Sequence, residues 1–284
     1  MHVGTPALAA VYVYGNTATL NGGGLYLQGG QPTIAVGIAR HNRAAGQGGG
    51  LYMEESAARI VEMIVYSNTA AAGAGSYLKG PLTLSLDEVP LIANSYIRHN
   101  AAVGGSGGGL YLQQSIATLA NNIIADNQAN EGAGLYLWAS SPQIFHNTLA
   151  QNQGASGVYL THKPGVVLPP TPPIPSLPTL VNTLIASHTV GVYVDSTGLP
   201  YPLQDRATLD GTLWWHNDQE SDGPGQFVND APVFGDPRFT CTGDRPSCPA
   251  PYHIQSDSAA LDAGVALDEY LSGVDLNELT DLLI

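Results

Sequence analysis

One phrase, Gly-Gly-Gly-Leu-Tyr-Leu at Gly22 to Leu27, returns at Gly48 to Met53, Gly73 to Leu78, Gly107 to Leu112, Gly132 to Leu137, Ser156 to Leu160 and, most changed, Val190 to Val194. Its tyrosines, Tyr26, Tyr52, Tyr77, Tyr111, Tyr136, Tyr159 and Tyr193, follow one another at intervals of 26, 25, 34, 25, 23 and 34 residues. A period of this length marks stacked units, each burying its apolar face only against a neighbour. A second marker keeps the same rhythm: Asn16, Asn42, Asn68, Asn100, Asn127 and Asn152, then His188 in an asparagine's place, then Asn217. The chain is a repeat protein.

Between the markers lie β-rich runs bounded by Gly and Asn, such as Asn94-Ser-Tyr-Ile-Arg-His-Asn100 and Asn122-Ile-Ile-Ala-Asp-Asn127. No amphipathic helix fits between them, which excludes a βαβ solenoid. A turn of about 25 residues without a helix accommodates three short parallel strands, each paired with its counterpart roughly 4.8 Å along the axis. The expected fold is therefore all-β, a parallel β-helix of about seven to eight coils.

Leu25/Leu27, Leu51/Met53, Leu110/Leu112 and Leu135/Leu137 form inward columns, each buried side chain contributing roughly 1.5–3 kcal/mol. Period-2 alternation sends the tyrosines outward. Glycine before the strand permits positive φ at one corner, and asparagine can take the left-handed region at another and hydrogen-bond its neighbour's backbone.

The distance from the residue after Leu27, or its equivalent, to the Asn marker is 15, 15, 22, 15, 15, 28 and 23 residues in successive coils. All three enlargements fall at one corner: 79–90, the proline-rich 163–178, and 195–209. Insertions gathered on one edge either line a binding surface or pad a tolerant turn. The rhythm stops after Asn217, so the β-helix is assigned to residues 1–229 and an irregular cap over the last coil to 230–284. Leu276, Leu279, Leu282 and Leu283 have helical spacing and predict a short terminal helix.

Thirty-four glycines in phase with a 44% hydrophobic content mean a packed core rather than low complexity. Nine basic against 23 acidic residues give a net charge of −14, which argues against nucleic acid and anionic membrane surfaces as partners. Cys241 and Cys248 close a small Pro- and Gly-bearing loop, read as a disulfide formed in an oxidising compartment, with half a zinc site as the alternative. No stretch reaches membrane-spanning length, and the first residues carry no visible signal peptide. With the first repeat starting almost at once, the chain reads as part of a longer exported protein.

With Ile97 to Asn100 giving Ile-x-x-Asn beside the Gly-Gly-Gly-Leu phrase, the chain resembles the right-handed parallel β-helix proteins of the pectin-lyase-like superfamily. Its repeats are also similar to those of polymorphic outer-membrane proteins, which pair Gly-Gly-Ala-Ile with Phe-x-x-Asn. The likeness covers about residues 10–217. Pro232-Val-Phe-Gly-Asp-Pro237 and His253 to Gly264 are similar to the closing segment of many such exported bacterial proteins, whereas Asp268 to Ile284 departs from that ending. The resemblance implies a right-handed coil, an extracellular or cell-surface location, and, in its enzymatic members, polysaccharide lyases and hydrolases working on the outward face of one strand column.

That column holds Gln28, Glu54, Lys79, Gln113, Trp138, Thr161 and Asp195. A glycosidase needs two carboxylates about 5 to 9.5 Å apart, and no two acids here lie within two coils. A calcium-dependent lyase needs several aspartates around one cation and a base. Lys79 could be that base, with Glu54 one coil below it and Asp87 and Glu88 folding over it. Glu54, Lys79 and Asp195 are thus the weak catalytic candidates, and calcium the one cofactor to consider. His41, His99 and His216, with Asp126 one coil beyond His99, read as exposed corner residues rather than an acid-base pair.

The stronger candidate is the tyrosine ladder, Tyr26 to Tyr193, with Trp138 beside it. Phenols stacked at coil spacing form a flat aromatic strip suited to packing on sugar rings, or simply stabilise the sheet as cross-strand pairs. The expected function is non-catalytic adhesion or polysaccharide binding at the cell surface, with a lyase or hydrolase on the same face as the alternative.

Overall fold

The computed structural model describes residues 6–80, 89–163, 172–199, 202–243, 248, 250–267 and 270. Among them are 27 strands and no helix, and every pair of strands in the sheets is parallel. Three sheets of fifteen, eight and four strands run along the solenoid. The terminal helix expected near Leu276 lies outside the described residues, as do Asp87 and Glu88.

The eight-stranded sheet carries the Leu-Tyr-Leu phrase and begins Leu25–Gln28, Leu51–Glu54, Ser76–Lys79, Leu110–Gln113. It continues through Leu135–Trp138, Val158–Thr161, Val190–Asp195 and Gln219–Asp222. Register is kept residue for residue from Leu25 up to Val194, so the inward columns stack apolar residues, interrupted by Ser76, and tyrosines stack on tyrosines. Opposite this face, the large sheet supplies two inward columns, Ile34-Ile60-Ile92-Leu119-Ile144-Leu180-Leu209 and Ala39-Val65-Ile97-Ile124-Leu149-Ile185-Trp214. All fourteen are buried in one continuous core with the leucines of the tyrosine sheet. The large sheet bends once per coil at a residue of positive φ. Eight-residue strands such as Thr33–Arg40 pass through the bend at Val36, while later coils break there, at Asn94, Asn121 and His146, into two short strands.

At the next corner the positive-φ residue is the one before the marker, His41, Ser67, His99, Asp126, Gln151, Ser187 and His216, not the asparagine itself. This corrects the left-handed conformation expected for the marker asparagines, while their expected hydrogen bonds to neighbouring backbone are present. The asparagines point inward and are buried from Asn42 to Asn152, because each can satisfy three buried backbone or side-chain groups of its neighbours. In each coil the backbone N–H and Nδ2 of one asparagine both donate to Oδ1 of the next, as from Asn100 to Asn127 at 3.0 Å each. The remaining Nδ2 proton goes to a carbonyl of the coil below, Asn127 to Ile97 O at 2.8 Å.

The two sequence markers meet in space. A Cβ on Gly109, third of its glycines, would lie 2.6 Å from Gly134 O and 3.0 Å from Asn127 Nδ2, and Gly50 faces Asn68 and Gly75 faces Asn100 in the same way. Glycine is required there because the backbone of the tyrosine strand enters directly against the asparagine ladder.

Part of the segment assigned as a cap over the last coil, including 271–284, lies outside the described residues. Sheet strands continue through Gln226–Asp230 and Val233–Phe234. The described residues beyond Phe234 then lie back along the flank. Tyr252, 1% exposed, donates from its hydroxyl to Asp126 Oδ1 at 2.6 Å, and Asp126 Oδ2 accepts from Arg98 at 2.8 Å. His253 meets the Tyr96 hydroxyl at 2.6 Å, and Val265 pairs through both backbone groups with the Asn182 side chain. Cys241 and Cys248 are bonded to each other within this segment. Tyr252→Phe leaves the buried end of Asp126 without its donor. The expected loss is about 2 kcal/mol, the range for hydrogen bonds to charged groups. Hydrogen exchange reads it as faster exchange at the Tyr252 and Val265 amides, with the Asn127 amide unchanged.

Candidate functional site

The seven tyrosines project from consecutive strands, and their rings stack on one another without a break. Centroids are 4.9, 5.5, 4.6, 4.6, 5.2 and 5.1 Å apart from Tyr26 to Tyr193, with interplanar angles of 30° or less. Rings directly opposite on parallel strands at this spacing are held face to face. The inner rings therefore have both faces occupied by neighbours. What the ladder offers solvent is a row of ring edges and hydroxyls, not the open aromatic strip expected from the sequence. Tyr52 and Tyr77, though outside the core, are each only 2% exposed, while Tyr26 at the first coil is 47% exposed.

The hydroxyls are held in a polar fringe. Tyr26 donates to Glu54 Oε2 at 2.7 Å, and this bond together with slight burial pushes its phenol up to about 12. Gln47 donates to the Tyr77 hydroxyl, which donates in turn to Gln113 Oε1. Burial pushes Tyr111 up to about 12 and raises Tyr77, Tyr136 and Tyr159 as well. All five phenols therefore keep their protons at neutral pH and act as donors.

Two residues along each strand the second outward column stands in register: Gln28, Glu54, Lys79, Gln113, Trp138, Thr161 and Asp195. Glu54 and Lys79 pair at 2.5 Å, which lowers the carboxyl and raises the amine. Burial works against charge on Asp195, but hydrogen bonds from Thr197, Tyr159 and Thr161 outweigh it and hold its carboxyl below the usual range. Trp138 is half-buried and stacks on no other ring among the described residues.

The structure pairs two of the catalytic candidates, Glu54 and Lys79, and sets the third, Asp195, far from them. Glu54 lies in the second strand of this sheet and Asp195 in the seventh, so five strand spacings, roughly 24 Å, separate them. A carboxylate pair for glycoside hydrolysis spans about 5 to 9.5 Å. Among the described residues no group of three or more His, Cys, Asp and Glu side chains is placed to hold a metal ion. His99 stands 3.5 Å from Asp126, but that carboxylate is already committed to Arg98 and Tyr252.

One polar cluster was not anticipated from the sequence. Where the second and third insertions join the tyrosine sheet, Asp205, fully buried, accepts from Ser176 N at 2.6 Å and meets His162 Nδ1 at 2.9 Å and the Ser196 hydroxyl at 3.4 Å. Burial raises its carboxyl, against the pull of these partners. The signal was present as a serine column: Ser115 N donates to Ser140 Oγ, Ser140 N to Ser176 Oγ, and Asp205 takes the next place. The cluster anchors the roots of both insertions. A cleft of about 440 Å³ also opens between the folded-back segment and the flank, lined by His146, Asn121, Tyr252 and Asp262 among others.

The fold and this face together define a parallel β-solenoid that carries a stacked tyrosine ladder beside a mixed polar column. Compared with family models, curated proteins and solved structures, the chain matches none of them.

Proposed function

We propose that this chain is a non-catalytic, extracellular or cell-surface β-helix that binds a neutral polysaccharide along the tyrosine face and serves in adhesion. On this reading it is a right-handed coil of the pectin-lyase-like kind, with repeats like those of polymorphic outer-membrane proteins. The observation that carries the binding assignment is Trp138. It is the one tryptophan of the column, unstacked, with Gln113 and Thr161 beside it in register and the phenol hydroxyls of Tyr111, Tyr136 and Tyr159 alongside. A sugar ring needs such an apolar face flanked by hydrogen-bonding groups. Of the carboxylates near this face, Asp195 is already hydrogen-bonded, Glu131 accepts from the Ser106 hydroxyl, and Glu54 is neutralised by Lys79, so the face favours uncharged sugars. The wide separation of Glu54 and Asp195 supports binding over hydrolysis, and the Cys241–Cys248 bond supports an oxidising location.

The test is retention in affinity gels containing neutral β-glucan, galactomannan or polygalacturonate, with and without calcium, alongside an assay for new reducing ends and unsaturated uronates. Retention by a neutral polymer without turnover is expected, and Trp138→Ala weakens it roughly tenfold, the value of one lost stacking contact of about 1.4 kcal/mol. Turnover abolished by Glu54→Gln or Lys79→Ala would replace binding by catalysis on the same face.

A further inference from the structure

We infer that the tyrosine ladder is a conduit for oxidising equivalents, carrying a one-electron hole along the solenoid and delivering it to one of two ends. The inference stands on the ladder's internal geometry and is independent of what binds its outer edge. Six consecutive ring contacts between Tyr26 and Tyr193 have centroids no more than 5.5 Å apart, so neighbouring π-systems overlap along the whole row. Electron exchange between aromatic rings falls steeply with distance. An unbroken stack is therefore a far better path than the same phenols scattered on a surface.

The proton acceptors sit toward the two ends. Tyr26 donates to the Glu54 carboxylate at 2.7 Å and Tyr159 to the Asp195 carboxylate at 3.1 Å. Between them Tyr77 donates only to a neutral amide oxygen, that of Gln113, and among the described residues Tyr52, Tyr111 and Tyr136 donate to no carboxylate. Burial, the neighbouring phenols and the negative charge of Glu131, to which none of them donates, keep the middle rings protonated. A phenol is oxidised easily only when its proton can leave with the electron. The interior rungs therefore pass the hole on, and the carboxylate-paired rungs hold it.

The chemistry balances as follows. A one-electron oxidant, such as a ferryl haem of a peroxidase or a hydroxyl radical, takes one electron from a ladder phenol and is itself reduced. The O–H bond of Tyr26 or Tyr159 breaks, its proton passes to Glu54 or Asp195, and a neutral phenoxyl remains. An electron from the adjacent ring refills it and the proton returns from the carboxylate, which leaves the adjacent phenol as a radical cation that keeps its own proton, and the hole moves rung to rung in that form until it reaches the other carboxylate-paired phenol. Tyr52 and Tyr77, each 2% exposed, are shielded from solvent quenchers while it does so.

The chain has no free cysteine, because Cys241 and Cys248 are bonded, so Gln28→Cys introduces a unique thiol next to Tyr26. A ruthenium polypyridyl sensitiser is attached there, and a flash with a cobalt(III) ammine as terminal electron acceptor oxidises the near end. Phenoxyls are captured with a nitroso spin trap and located by peptide mass spectrometry. Adducts are expected at Tyr26 and at Tyr159, and in Tyr111→Phe, which keeps the stacked ring but resists oxidation, those at Tyr159 fall to the level given by untethered sensitiser while those at Tyr26 persist. Tyr136→Phe carries the same expectation should Tyr111→Phe fail to fold. Adducts confined to Tyr26 in the unbroken ladder, or equal Tyr159 labelling with and without the break, overturn the inference.

Discussion

Asn127→Ala is expected to lose about 4 kcal/mol of stability, since three buried polar groups lose their partner and each unsatisfied group costs roughly 1–3 kcal/mol before the site relaxes. The groups are the Asn100 backbone N–H, the Asn100 Nδ2 and the Ile97 carbonyl. No side chain can move in to replace Asn127, because Gly109 presses on it from the tyrosine strand. The exposed Asn130, three positions on, is the control, with an expected change within about 0.5 kcal/mol. Urea unfolding reads both as a shift in midpoint at constant slope. A loss below about 1 kcal/mol for Asn127→Ala would mean that the ladder's hydrogen bonds are replaced by water at no cost.

The second large effect is a pH dependence. His188 is buried in the asparagine column and imitates an asparagine: Nε2 accepts from Asn152 Nδ2 at 3.2 Å, and Nδ1–H donates to Asn217 Oδ1 at 3.1 Å. That pairing assigns the tautomer and leaves no place for a second ring proton. Burial lowers its pKa from 6.5 to about 4. The unfolded chain therefore binds this proton at a higher pH than the folded chain does. The full contribution is present above pH 6.5 and is lost as pH falls toward about 4, where the deficit reaches about 3 kcal/mol. Carboxylates and the partly buried His146 add their own slopes, so the test is a difference. His188→Asn restores the asparagine column and removes the His188 slope between pH 6.5 and 4. Parallel stability curves for the two proteins would contradict this account.

The period of the chain made the solenoid legible, and register followed from it: stacking identical phrases one coil apart aligns Tyr26 to Tyr193 and keeps Leu51, Leu110 and Leu135 inside. What escaped was contact between columns. A coil-length interval says that glycine and asparagine both recur, but not that Gly109 lies against Asn127, since that contact depends on how the corners close in three dimensions. Strand alternation sent the tyrosines outward but did not say which way the rings turn. Turned onto one another, they lose the open faces a sugar would stack on, and Trp138 becomes the free aromatic surface. The return of Tyr252 and Val265 along the flank was illegible because that segment has no period. Asp205 was missed because an acid replacing a serine in a corner column resembles any loop acid.

The proposed function rests on the tyrosine face, and the most direct measurement is a titration followed by NMR with ¹³C-labelled tyrosine and tryptophan rings. A neutral β-linked oligosaccharide is added to the full chain. The account predicts saturable shifts at Trp138, Tyr136 and Tyr159, with Tyr252 and Tyr96 on the opposite flank unmoved. Shifts confined to Tyr252 and Tyr96 would move binding to the cleft beneath the folded-back segment. No shift with any neutral glycan that the affinity gels retain would contradict the assignment of this face.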